Sequence, residues 1–275
     1  MAALTPFLVV IAGVLGLLIG SFLNVVAYRV PAQISLLRES RCPSCDAAIK
    51  PWHNIPVVSW IALGGKCATC GVRISVRYPI VEAFTGMVFA VVTWRILRDA
   101  SLSTGEWWPL LPLLIAFLYF AAISIVLTLI DLDTHRLPNS IVLPSYLVGG
   151  ALLTITAALS GEWASLARAG VGMVVLYVLY YLLRMARPGG MGGGDVKLAG
   201  VIGLYLGWVG WGALAVGAFS AFVFGGVYGI VLLLLRRAGR KTAIPFGPWM
   251  ILGAWTGLFT GEPIGRWYVD LLFGT

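Results

Sequence analysis

Residues 115–138 read IAFLYFAAISIVLTLIDLDTHRLP, an uncharged run from Ile115 to Ile130 that ends directly on Asp131. A membrane-spanning helix needs about 20 predominantly apolar residues, and the apolar residues just upstream bring this run to that length. An acid at the end of such a run sits where hydrocarbon meets water. Ionisable groups there are costly, and each is a functional candidate by default. Comparable apolar segments lie near 6–28, 79–97, 140–160, 165–185 and 210–235. Two more, 195–208 and 245–261, are respectively short and rich in Gly and Pro. The sequence therefore predicts an all-α polytopic membrane protein with about eight transmembrane helices, one or two of them tilted, broken or re-entrant.

Composition agrees. The 275 residues are 60% hydrophobic and only 11% charged, against about 25% charged in a soluble domain. The first segment, roughly Pro6 to Ala27, reads as a retained transmembrane helix, since it lacks a basic leader and a small-x-small cleavage site. The one large hydrophilic insertion, 29–78, holds Arg29, Arg38, Arg41, Lys50, Lys66, Arg73 and Arg77. With eight spans, Arg136, Arg187, Arg236, Arg237, Arg240 and Lys241 fall on the same side as that insertion. The opposite side holds Arg95, Arg98, Arg168 and Arg266 with Asp99, Glu106, Glu162 and Glu262. By the positive-inside rule the insertion is cytoplasmic and the amino terminus outside. The net charge of +8 is then a topology signal with affinity for anionic lipid, and no nucleic-acid recognition motif accompanies it.

Cys42-Pro-Ser-Cys45 and Cys67-Ala-Thr-Cys70 form two Cys-x-x-Cys pairs inside the insertion. Each pair brings two thiolates to one ion from a tight turn, and four complete a tetrahedral shell with no open position. The expected metal is a structural zinc, with iron compatible with the same ligands. A cytoplasmic location works against two disulfides.

Sorting the acidic residues by position leaves Glu82, Asp131, Asp133 and Asp195 at membrane-associated sites. Asp131 opens a short turn, Pro138 is expected to stop the helix, and Asn139 or Ser140 can cap the next one. Asp195 follows the glycine run Gly189-Gly-Met-Gly-Gly-Gly194, which permits close backbone approach. Both acids fall at one membrane face. Two adjacent carboxylates cannot both ionise cheaply, so one keeps a proton while the other acts as base toward water. Either Asp alone is equally a helix cap. Asp133, two residues from Asp131, faces elsewhere on a helix and reads as a solvated neighbour. With only His53 and His135 and no HExxH, a His-based metalloprotease is excluded; no G-x-S-x-G elbow supports a serine triad. The residues alone thus point to a membrane-face aspartyl hydrolase. Its parts are a first helix at 1–28, the metal module at 29–78, and a membrane domain at 79–275 whose peptidase core spans about 109–261.

Several motifs in order resemble the type IV prepilin peptidases, bifunctional leader peptidase/N-methyltransferases. They are Gly20-Ser-Phe-Leu-Asn-Val-Val-Ala-Tyr-Arg-Val-Pro31, the 42–70 stretch with Asn54-Ile-Pro56, Ser59-Trp60 and Gly65-Lys66-Cys67, and Arg77-Tyr-Pro with Glu82. Asp131 with Thr134, Pro138 and Asn139, Met191-Gly-Gly-Gly-Asp195-Val-Lys-Leu, and Pro245-Phe-Gly-Pro248 complete the set. Arg187-Pro188 departs from the usual short polar sequence ahead of the glycines. The resemblance implies Asp131 and Asp195 as the catalytic pair, supported by Gly192, Gly194, Lys197 and Pro138. It also implies prepilins or type II secretion pseudopilins as substrates and S-adenosylmethionine as methyl donor, in a bacterial inner membrane. Two rival readings use the same acids differently: a Mg²⁺-dependent phospho-sugar transferase, or an ion-coupled transporter with a proton-relay aspartate.

Overall fold

The structure, a computed structural model, describes residues 4–100, 108, 110–187, 190–235 and 245–274. Glu106, Pro188, Gly189 and the basic residues Arg236, Arg237, Arg240 and Lys241 lie outside the described residues. The elements are α1 (Leu4–Arg29), a 3₁₀ turn (Pro51–Asn54), α2 (Val58–Ala62), α3 (Arg77–Ala100), α4 (Leu110–Thr134) and α5 (Asn139–Ser160). They continue with α6 (Trp163–Ala186), α7 (Gly193–Val209), α8 (Trp211–Leu234) and α9 (Gly247–Phe273). Among the described residues, α1, α3, α4, α5, α6 and α8 are long and apolar enough to cross a membrane. The two segments of uncertain type are helical as well. At 17 residues α7 is short for a span, and α9 is long but carries Glu262, Arg266 and Asp270.

The chain divides into two compact units, residues 1–126 and 127–275. In the first, α1 packs on α3. Small residues set the spacing: a methyl at Gly20 would lie 2.8 Å from the Cα of Glu82. Close backbone approach through small residues is the usual basis of helix pairing in lipid. Where α1 ends, the buried Arg29 guanidinium donates to the carbonyls of Ser35, Leu36, Arg38 and Glu39, folding the following loop around itself.

In the second unit α7 packs against α5, α6, α8 and α9. Apart from Lys197, every residue from Asp195 to Trp208 is buried. A helix apolar on all sides belongs in an interior, and this explains the short run of the sequence. Its neighbours come close through glycine: a methyl on Gly172 of α6 would lie 2.5 Å from the carbonyl of Gly203. Against α5 the fit is reciprocal, with Tyr146 of α5 over Gly200 and Tyr205 of α7 over Gly149. At the α7–α8 turn, Arg168 donates to the carbonyls of Gly207 and Trp208 at 2.7 Å each. Across the turn, Glu262 Oε1 accepts the Gly212 and Ala213 N–H groups at 3.0 and 3.3 Å. Each charge thus meets the helix end of opposite polarity. The surrounding helices expose large apolar side chains such as Leu147, Phe219 and Leu234, a surface suited to hydrocarbon rather than water.

Candidate active site and metal centre

Asp131 lies in the last turn of α4, and its carboxylate is buried. The helix continues past it to Thr134 and ends where His135 adopts a φ of 53°, its N–H bonded to the Asp131 carbonyl at 2.8 Å. The end of α4 is therefore set by His135, three residues before Pro138. Pro138 is the N-cap residue of α5, and no side chain caps that helix. Asn139 has another use: its Oδ1 accepts the Lys197 ammonium at 2.9 Å, tying the start of α5 to α7. Tyr146 donates to the Lys197 carbonyl and reinforces that tie.

Asp131 Oδ2 accepts the backbone N–H of Gly247, the first residue of α9, at 3.0 Å. Asp195 occupies the third position of α7 and accepts the Gly192 N–H at 2.9 Å, also through Oδ2. This is the acid half of a capping box; glycine has no side chain to return the bond. Both carboxylates thus sit at helix N-termini, where unpaired N–H groups and the helix dipole favour negative charge. The capping role that either acid can play alone is realised by both, and it uses one oxygen of each.

Leu137 joins the two. A methyl on Gly194 would lie 2.8 Å from the Leu137 Cβ, and one on Gly247 would lie 3.5 Å from its Cδ1. The end of α4 and the starts of α7 and α9 therefore converge on this side chain, and Asp131 and Asp195 act on each other electrostatically. His135 acts on Asp131 from the solvent side and Tyr180 interacts with Asp195 from α6. Tyr180, Phe222 and Phe246 form an aromatic wall with centroids 5.5 to 6.3 Å apart. Asp133 points outward and is exposed.

In the first unit the sulfurs of Cys42, Cys45, Cys67 and Cys70 all lie within 4.8 Å of one another, and none forms a disulfide. A tetrahedral zinc with Zn–S bonds near 2.3 Å holds its sulfurs about 3.8 Å apart, so small movements suffice. The site is a duplicated knuckle. Residues 40–49 and 65–74 share one hydrogen-bond pattern: Cys42 N–H to the Ala47 carbonyl and Cys67 N–H to the Val72 carbonyl, then Ile49 N–H to Ser40 and Ile74 N–H to Gly65. Asp46 and Gly71, at matching positions, both have positive φ. A repeat is not evident from residue identities, because mainly the cysteines and the closing Ile coincide. The Cys70 and Thr69 N–H groups point at the Cys67 sulfur and hold its thiol down to about 6. At Cys45 the Ala47 N–H pulls downward, yet the Cys70 sulfur, desolvation and the other two sulfurs push the thiol up to about 12. Four thiolates this close repel one another, and a cation relieves that repulsion. The donor set fits a metal ion.

Beside the knuckles is a cavity of about 410 Å³ whose wall includes Asn54, Val57, Trp60, Arg73, Tyr78 and Glu82. Glu82 is buried in α3, and its Oε2 accepts the Val57 N–H at 2.7 Å. Glu39 and Asp46, the acids of the metal loop, instead pair with Arg41 at 3.4 and 3.1 Å.

Two family models match in order. One, described as Bacterial Peptidase A24 N-terminal domain, covers residues 14–96; the other, Type IV leader peptidase family, covers 118–230. Curated relatives match nearly end to end. A prepilin leader peptidase/N-methyltransferase of Pseudomonas putida is 36% identical over 97% of this chain and 95% of its own. Proteins of the same description from Stutzerimonas stutzeri and Neisseria gonorrhoeae are each 35% identical, covering 95% and 97% of this chain and 94% and 95% of their own. The chain belongs to the type IV leader peptidase family. No solved structure matches it.

The leader peptidase match at 118–230 contains both aspartates and stops short of Gly247. Gly247 is the residue of this cluster that sequence reasoning left without a role, although the Pro245-Phe-Gly-Pro248 motif around it stands out. Leu137 carried no sequence signal, being one leucine among many. The amino-terminal match at 14–96 spans α1, the cysteine knuckles and most of α3.

Proposed function

We propose that this chain is a membrane aspartyl endopeptidase that removes the short basic leader of type IV prepilins or type II secretion pseudopilins, and then methylates the new amino terminus. The observation that carries the reading is the meeting of Asp131 and Asp195 around Leu137, each held by a backbone N–H, in a chain of this family. One oxygen of each carboxylate is tied to a helix N-terminus; the other is available to a water between them. The ionised acid takes the proton of that water as it attacks the scissile carbonyl. The protonated acid donates to the developing oxyanion, then to the leaving amine. The pair titrates as a unit, so the shared proton belongs to neither acid in particular. The buried Tyr180 ring, packed on the half-buried Phe246, limits access of bulk water and strengthens these interactions.

The remaining assignments follow the same frame. The four cysteines hold zinc, which supplies folding free energy to a module with little core of its own. S-adenosylmethionine supplies the methyl group. Eight helices cross a bacterial inner membrane with the amino terminus outside, which puts the insertion 29–78 and both aspartates at the cytoplasmic face. Anionic lipid headgroups and the acids Glu39, Asp46 and Glu82 are the negative groups open to a basic leader, of which Glu39 and Asp46 already pair with Arg41. No observation favours the phospho-sugar transferase or the transporter.

The test is to incubate membranes bearing the protein with a prepilin and methyl-labelled donor, then sequence the product's amino terminus. A shortened pilin with a labelled amino-terminal residue is expected. An intact prepilin overturns the peptidase reading; a shortened, unlabelled one overturns the methyltransferase reading alone.

A further inference from the structure

Residues 52–61 turn an apolar side chain outward at every third position. Trp52, Ile55, Val58 and Ile61 are 61, 49, 60 and 66% exposed, whereas Pro56 and Ser59 between them are buried. The row runs through the 3₁₀ turn, the irregular stretch after it, and α2. It stands in the hydrophilic insertion, where water would otherwise meet four large apolar groups. Contiguous apolar surface of this kind marks an interaction site.

The inner side of the row fixes the level at which it is held. The Val57 N–H donates to Glu82 Oε2 at 2.7 Å. Glu82 lies five residues inside the start of α3, roughly 7.5 Å along the helix axis. A methyl at Gly20 of α1 would lie 2.8 Å from the Glu82 Cα, and α1 runs nine residues further to Arg29, roughly 13 Å. Both helices are long and apolar enough to cross a membrane, so the segment tied to Glu82 lies inside the ends of two spans. Irregular backbone at that depth has to bond its polar groups to protein. Here it does. The Ile55 N–H donates to Ser59 Oγ at 3.0 Å, and Ser59 Oγ donates to the Trp52 carbonyl at 2.8 Å. The Val58, Ser59 and Ile61 N–H groups bond the Pro56, Ile55 and Val57 carbonyls. Val57 takes a φ of 62°, a costly conformation for a β-branched residue, and the bond to Glu82 holds it there.

Charge and aromatic placement identify the occupant. The insertion 29–78 carries seven basic residues against two acidic ones, and both acids pair with Arg41. Lys50 is exposed, and its ammonium stands 5.5 Å from the centroid of the Trp52 ring. Tyr28 and Tyr78 are exposed where α1 ends and α3 begins. Trp and Tyr gather at the headgroup level of a bilayer, and lysine there keeps its charge in water while its stem lies on apolar surface. Ile80, Phe84 and Met87, on one face of α3, are exposed as well. We infer that residues 52–61 are an interfacial membrane anchor. Trp52, Ile55, Val58 and Ile61 enter the boundary between headgroups and acyl chains, and Lys50 meets anionic headgroups. The anchor fixes the knuckle module against the bilayer surface. It requires only that α1 and α3 span a membrane, and it stands whether or not the chain cleaves prepilins.

The experiment uses the full-length, metal-loaded protein in nanodiscs of phosphatidylethanolamine and phosphatidylglycerol, doped with a lipid that carries a diazirine close to its glycerol. After irradiation, adducts are mapped by peptide mass spectrometry. Adducts are expected on residues 52–61 and on Ile80–Met87, and not on the knuckle turns 43–46 and 68–71. Label on α3 without label on 52–61 overturns the anchor, as does equal label on 52–61 and the knuckle turns. Lys50→Glu should lower the adducts on 52–61, relative to those on α3, by about fivefold with metal content unchanged. Phosphatidylcholine in place of phosphatidylglycerol should do the same to the wild-type protein. If Lys50→Glu loses metal, the lipid exchange decides alone; an unchanged ratio there overturns the part given to anionic headgroups. In native membranes, p-benzoylphenylalanine placed at Val58 should capture lipid. Capture of a second copy or of another protein in its place overturns the anchor and makes the row a protein interface.

Discussion

A carboxylate that caps a helix and one that takes a proton from water need different things. The first needs an N–H donor; the second needs a free oxygen in a fixed place. Asp131 and Asp195 have both, because each bond to backbone engages Oδ2 only. Gly247 is the most exacting position in this arrangement. A methyl there would lie 2.6 Å from Asp131 Oδ2, so Gly247→Ala must push the carboxylate aside. Misplacement by about 1 Å costs on the order of 10²-fold in rate. Gly247→Ala is expected to lower leader cleavage by about that factor in a folded protein, read from initial rates on a purified prepilin. Asp133→Asn, on the exposed side of α4, should stay within about twofold of wild type in the same assay. The two acids stand out in sequence because charge at the end of an apolar run is expensive. Their N–H partners do not, since the Gly247 bond spans 116 residues and depends on where α9 begins.

At the scale of elements, the second unit is organised by α7. Its burial on all sides explains why the 195–208 segment is apolar yet short: a helix sheathed by others has no obligation to match the full hydrocarbon thickness. Sequence periodicity could not decide this, because an all-round apolar helix has no face to detect. The far end of α7 is held by Arg168, whose removal leaves the Gly207 and Trp208 carbonyls without their charged donor. Arg168→Ala should destabilise the protein by about 1.5–3 kcal/mol, seen as a lower thermal midpoint in detergent. The cysteine spacing was legible at once; the duplication of the knuckles was not, since it lives in backbone hydrogen bonds and two positive φ values. Purified protein should contain about one tetrahedrally bound metal per chain by elemental analysis, and Cys42→Ser should lose it. A metal-free preparation with an intact module would refute the metal site.

At the scale of the molecule, the apolar exterior and the charge distribution belong together. Exposed leucines, valines and aromatics on the long helices suit lipid surroundings, and Arg38, Arg41, Lys50, Lys66 and Arg73 lie in the segment between α1 and α3. Among the described residues six helices read as spans by length and composition; the eight-span count depends on α7 and α9. The orientation proposed from the arginines and lysines predicts that a membrane-impermeant thiol reagent on intact cells labels Glu162→Cys and leaves His135→Cys unlabelled. Labelling of the His135→Cys protein alone would invert the topology. The central claim is that two aspartates, one ending α4 and one opening α7, form a single hydrolytic centre. It is tested most directly by assaying Asp131→Asn and Asp195→Asn separately on a purified prepilin, with membrane insertion checked for each. The account predicts that each single change abolishes cleavage, a loss of at least about 10³-fold, while both proteins remain in the membrane. Near-normal cleavage by either variant would contradict it.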